Sequence, residues 1–258
     1  MSLIEHLGIS VLPKLGLAGY KYDERKIQLS SFVSTDFKFR ESTERHSAVQ
    51  NWGMMLNDQL GCCEIATSGH AVQLWTANIS KQVTIDDSVI QSVYSRISGY
   101  DPNTGANDNG CYENDVDRYL FSTGIDGHKI QGYANVDISK IDLIKYSIYI
   151  FGCVRLTAAL PLALQHEGAY WQDPKGNTSG IYKKGSWGGH SFLAVDYDMS
   201  YLYIVSWGKV CKVDWGWWLT YGMEAVPTIS DDWMKANESP QHLDLHGLLT
   251  AIENVSKA

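Results

Sequence analysis

The chain has 258 residues, 44% of them hydrophobic and 12% aromatic, enough for one large domain or two small ones with a real core. Its formal net charge is −8, its pI is about 5.4 and it has no Lys/Arg-rich run, so the counterion-release attraction behind most nucleic-acid binding is missing. The five cysteines (Cys62, Cys63, Cys111, Cys153 and Cys211) are an odd set in a chain of this size; reduced thiols are expected, not a disulfide scaffold.

The first twenty residues, "MSLIEHLGISVLPKLGLAGY", are mildly apolar but interrupted by Glu5, His6 and Lys14. They lack the basic start and unbroken apolar run of a signal peptide. Residues 1–48 read as an N-terminal extension that ends in the charged "FKFRESTERHS". Next, "LNDQLGCCEIATSGHAVQLW" places two adjacent cysteines after a glycine. Ile65, Ala66, Gly69, Val72 and Trp75 repeat at helical period, which predicts a helix from Cys62 to Asn78. A second helix is expected over Asp86–Ile97, since "TIDD" puts acids in its first turn.

"GYDPNTGANDNGCYEN" is a loop by its Gly, Asn, Asp and Pro content. Asp101, Asp108 and Asp115 within or beside it lack calcium-loop spacing and are expected to be solvated. "CYENDVDRYLFSTG" follows as a helix closed by Gly124. His128 in "GIDGHKI" reads as a turn or surface histidine. The apolar stretch from Ile148 to Leu164 is broken by Arg155 and Pro161, so no membrane span is expected. "HSFLAVDYD", "SYLYIVSW" and "MEAVPTIS" read as strands. Helices first and strands later predict an α+β fold. Residues 49–235 then form one domain, with a helical half over about 49–135 and a β half over about 136–235. Residues 236–258 are a tail read as helical.

Two residues in this order suggest nucleophilic chemistry. Cys63 stands at a helix start, where unsatisfied N–H groups and the helix dipole favour a thiolate. His70 lies two turns on, roughly 10 Å along the axis, too far to serve as its base. His190, in "SWGGHSFLAVDYD", is the better partner, with room beside it from Gly188 and Gly189 and a strand to fix it. Cys62 reads as a packing residue, because a disulfide between neighbours is strained. There is no C-x-x-C or H-x-x-x-H pair, so a structural zinc site is not expected.

"NDQLGCCEIA", "DNGCYENDVDRYLFSTGI", "YIFGCVRLTAALP", "GGHSFLAVDYD" and "VSWGKVCKVDWGWW", in that order over about residues 50–225, resemble the papain-like cysteine peptidases. In look they are nearest to uncharacterised papain-like proteins of phages and bacteria. The resemblance implies a two-part fold whose central helix carries Cys63 and whose antiparallel β half carries His190. It implies that Cys63 attacks a carbonyl and that His190 accepts and returns the proton. The oxyanion position, six residues before Cys63, falls on Asn57, with Gln59 as a second option. The orienting Asn of the family is replaced by Val205, which cannot accept a hydrogen bond; Ser206 adjoins it and would need a shift of register. Asp196 is six residues along the strand from His190, roughly 20 Å away, and cannot help. Trp187 and Trp207 are expected at the cleft rim, and Trp215, Trp217 and Trp218 mainly in the core.

Two functions follow as expectations. One is a cysteine hydrolase, a peptidase or amidase with a Cys63/His190 dyad, needing no metal or organic cofactor and acting on a peptide or protein. The other is a catalytically inactive papain fold serving as a structural or accessory component of a phage virion, its partners being phage structural proteins or copies of itself. The expected location is cytoplasmic or within a virion, with no nucleic acid or membrane partner. An open groove above Cys63 and His190 would favour the hydrolase. A groove filled by residues 1–48, or by a neighbouring subunit, would remove it from consideration, and such an extension could lie in the cleft as an inhibitor or reach a partner.

Overall fold

The structure is a computed structural model and describes residues 1–19, 28–31, 38–79 and 81–235. Short helix α1 (Leu3–Leu7) opens the chain, closed at its start by a reciprocal Ser2/Glu5 capping box. Helices α2 (Cys63–Ile79), α3 (Asp87–Ser98) and α4 (Glu113–Ser122) form the helical half. Asp86 caps α3 by accepting from the Ser88 N–H, and Gly99 ends it at φ 78°. The β half contains β1 (Ile130–Tyr133), α5 (Ile141–Phe151), β2 (Val154–Leu160), β3 (Tyr170–Trp171), β4 (Gly188–Tyr197), β5 (Tyr201–Ser206), β6 (Lys209–Asp214), α6 (Trp215–Tyr221), β7 (Gly222–Ser230) and α7 (Asp231–Lys235). Its seven strands are ordered β1-β7-β2-β4-β5-β6-β3, all antiparallel except the β3–β6 pair.

The sheet divides the core in two, because neighbouring residues of a strand point to opposite faces. Phe192 and Ala194 of β4 and Leu202 and Ile204 of β5 join Trp171, Trp207, Trp217, Trp218 and the apolar side of α5. Leu193, Val195 and Val205 join Ile65, Val72 and Trp75 of α2. Every residue of α2 from Cys63 to Thr76 is buried, so its first turn is walled in on all sides. The price of burying so much is visible at Glu64, whose carboxylate faces the Arg155 guanidinium at 3.7 Å; Arg155 also pairs with Asp117. Such charges are tolerated inside only when paired.

The structure departs from the sequence reading at α5, which was not expected. Its Ile and Tyr residues look strand-like, but Gly152 at φ 84° stops a helix and β2 begins only at Val154. Helices α5, α6 and α7 also interleave with the strands, so the two halves are less cleanly separated in sequence than predicted. The helix expected over 236–258 lies outside the described residues. Among the described residues no helix is long and apolar enough to cross a membrane.

Candidate active site

Cys63 is the first residue of α2 and is fully buried. The neighbouring Cys62 is also buried, its Sγ 3.5 Å from the Met55 carbonyl, as a packing residue should be. His190 sits near the start of β4, also buried. The backbone of Ser191, next to His190 in sequence, hydrogen-bonds Cys63, which sets the thiol against the strand that carries His190. The two are not themselves hydrogen-bonded: Nδ1 of His190 has no partner. His70 is buried elsewhere, its Nε2 3.1 Å from the Gly53 carbonyl.

The other imidazole nitrogen is held. Nε2 of His190 lies 2.9 Å from Oγ of Ser206. Val205 points to the opposite face, into the α2 cluster, and does not compete for the ring. Strand alternation puts His190 and Ser206 on the same face, with Phe192 and Ile204. Trp207 lies flat against the imidazole, centroids 4.2 Å apart and planes 13° apart, and Trp187 stacks on Trp207 at 5.8 Å. Trp207 and Gly208 make the β5–β6 turn, both with positive φ (49° and 69°). This is the two-residue hairpin geometry that fits the twist of antiparallel strands, and it usually demands Gly or Asn. A tryptophan accepts it here, which aims the indole at His190.

On the helical side, Met55 (φ 52°) and Leu56 (φ 59°) force a tight turn that buries Asn57. Oδ1 of Asn57 has no partner, whereas Gln59 is exposed.

The seam between Cys111 and Gly189, over Cys63, is filled. Residues 14–18 run through it without regular secondary structure, touching Cys111 by one isolated parallel bridge at Leu17. Cys111 donates to the Gly16 carbonyl at 3.0 Å and accepts from the Ala18 N–H at 3.0 Å. On the other wall the Leu17 N–H donates to the Gly189 carbonyl at 3.3 Å. Leu15 and Leu17 pack their side chains over Gly188 and Gly189, occupying the space those glycines leave. Gly16 touches the backbones of Gly61 and Gly110 so closely that a methyl on it would overlap Gly61. The Gly16 backbone hydrogen-bonds Cys63, so the thiol meets an amide N–H and not a carbonyl carbon.

These contacts fix the charge state. Burial, with Glu64 next door, pushes the Cys63 thiol up to about 12, against hydrogen bonds from Ser191, Gly16 and Glu64. Burial alone pushes His190 down to about 3. Both groups rest uncharged, Cys63 as a thiol and His190 as a neutral imidazole.

Asp108 is not solvated as its loop composition suggests. Its side chain is 6% exposed and pairs with the Lys14 ammonium. Oδ1 accepts from the Gly61 N–H at 2.8 Å and from the Tyr94 hydroxyl at 2.6 Å. That hydroxyl accepts in turn from the Gly110 N–H at 3.0 Å. One carboxylate thus ties both glycine walls together. His128 is less exposed than expected, with Nδ1 2.9 Å from Asp232.

No family model matches the sequence, and no curated protein matches it. Solved structures do. Xylellain, a cysteine protease from Xylella fastidiosa, superposes with a TM-score of 0.62 over 85% of this chain and 99% of its own, at 14% identity. The chain has the papain-like cysteine protease fold. Procathepsin L2 proteinase from the larval midgut of Tenebrio molitor gives 0.54 over 85% of this chain and 76% of its own, at 13% identity. The Carica candamarcensis cysteine protease CMS1MS2, in complex with E-64, gives 0.50 over 74% and 99%, at 16%. At such identities the likeness speaks for the papain-like fold and not for activity.

Proposed function

We propose that the chain is a latent cysteine hydrolase acting on peptide or amide bonds, closed at rest by its own residues 14–18. The observation that carries this reading is the His190 arrangement: Nε2 held by Ser206, a face covered by Trp207, and Nδ1 left without a partner on a strand whose next residue bonds Cys63. A base must be oriented and must keep one nitrogen free for the proton it takes. In the reaction Cys63 Sγ attacks the carbonyl carbon and His190 takes the thiol proton. The C–N bond breaks as His190 returns that proton to the leaving amine, and water then hydrolyses the thioester. The Cys63 backbone N–H and the Asn57 amide would hold the oxyanion, a role in which one donor is worth roughly 3 kcal/mol.

The filled seam speaks for a hydrolase whose cover leaves, over one that is open at all times. Four backbone hydrogen bonds, two half-buried leucines and one ion pair hold the segment. Burial is the largest cause of the raised thiol pKa, so admitting water lowers it.

The test is labelling by a thiol-directed peptidyl electrophile in the full-length chain carrying Leu15→Asp and Leu17→Asp. Cys63 should react at least tenfold faster than in the unaltered chain and faster than the other four cysteines, and a peptide amide should be hydrolysed. Fast labelling with no turnover of any peptide would favour the second reading, a silent papain-fold module. That reading draws on the same filled seam and neutral pair; a phage virion partner for it rests on the sequence resemblance only.

A further inference from the structure

We propose that Asp108 is a specificity-determining residue of this groove, a subsite that selects a basic side chain, and that Lys14 occupies it in the latent state. The inference rests on the reading above that the groove binds peptides. Asp108 belongs to the helical wall, where it binds the Gly61 N–H, two residues before Cys63. Lys14 stands two residues before Gly16, the residue whose backbone lies on the Cys63 sulfur. Side-chain subsite and reacting atom are therefore about two residues apart along an extended occupant.

The carboxylate is built to receive a cation. Its Oδ1 is already used by Gly61 and Tyr94, and its Oδ2 takes the Lys14 ammonium. Burial raises its pKa, but the hydrogen bonds from Lys14, Tyr94 and Gly61 outweigh that and hold it below the ordinary carboxylate range. Lys14 itself is about half exposed, so its ammonium can exchange for another without dismantling the core. When residues 14–18 leave, Asp108 keeps two neutral donors and loses its counter-charge. A lysine or arginine side chain restores it; a glutamate there meets like charge. Because the subsite is a place in space, the argument holds whichever way a substrate runs.

The experiment uses the full-length Leu15→Asp/Leu17→Asp chain and measures how peptides Ac-X-Leu-Gly-Leu-Ala-NH2 protect Cys63 from iodoacetamide. With X lysine, half-protection should need at least tenfold less peptide than with X glutamine, and glutamate should be poorest. Asp108→Asn should bring the lysine and glutamine peptides to equal half-protection, and Asp108→Glu should keep the lysine preference. A second variant leaves Asp108 untouched: Lys14→Glu alone should raise Cys63 labelling about tenfold and Lys14→Arg should not. Equal protection by all three peptides, protection by none, a preference that survives Asp108→Asn, or a Lys14→Glu chain as inert as the unaltered one would each overturn the subsite. Hydrolysis of all three peptides at one rate would sink the subsite and leave the hydrolase standing. Lysine-selective protection without hydrolysis would do the reverse.

Discussion

Nε2 of His190 and Oγ of Ser206, 2.9 Å apart, leave neighbouring strands on the same face, while Val205 between them in sequence space faces the other way. A hydroxyl thus holds one nitrogen of the ring. In the open, leucine-substituted chain, Ser206→Ala should slow labelling of Cys63 about tenfold, the worth of one hydrogen bond to a titrating ring. Ser206→Asn should recover part of it. The rate measured against pH decides: an unchanged profile in Ser206→Ala would remove Ser206 from the site.

Trp207 is asked to do two things, stack on His190 and hold φ 49°. Trp207→Ala should lose about 3–5 kcal/mol from the buried ring. Trp207→Gly should be less damaging by about 1 kcal/mol although it is smaller, because glycine adopts that φ without strain. Urea unfolding of the two variants checks the order, and a less stable glycine variant would contradict the strain.

The buried histidines predict the acid side of stability. His190 and His70 are pushed by burial to about 3 and about 4, below their unfolded value. Their contribution is complete above pH 6.5 and is lost as pH falls toward the folded values, about 1.4 kcal/mol per unit for each. His46 behaves oppositely. The hydrogen bond that its Nδ1–H donates to the Asp196 carboxylate, at 2.6 Å, raises its pKa, so its contribution is complete below pH 6.5 and fades as pH rises through the raised value. Urea midpoints from pH 5 to 9 should show His70→Gln flattening the acid limb and His46→Gln flattening the alkaline one.

Arg155 bonds Asp117 and faces Glu64, all three buried. Arg155→Met should cost about 3–5 kcal/mol, since it takes the guanidinium away from two buried carboxylates. Adding Asp117→Asn should recover part of that loss. If the double variant is less stable than the single one, the ion pair is not what Arg155 supplies.

The start of α2 at Cys63 was legible in the sequence because its apolar spacing is helical and a glycine precedes it. β4 and β5 were legible from their Val, Ile and Tyr content. Ser206 was nameable but its role was not, since the face a strand residue takes depends on pairing, which one sequence does not display. Residues 14–18 carried no signal beyond a Gly between two leucines; their place is set by contacts with residues some forty to one hundred and seventy positions away. Asp108 was misread because loop composition predicts solvent, and only the fold shows a tyrosine, a glycine N–H and a lysine converging on it.

The turn at Trp207 and Gly208 has one further effect. Its shape comes from main-chain torsions, so the indole stands over the imidazole with no peptide in place to press it there. Whatever displaces residues 14–18 therefore meets a finished wall, and little of its binding energy goes into assembling that side of the groove.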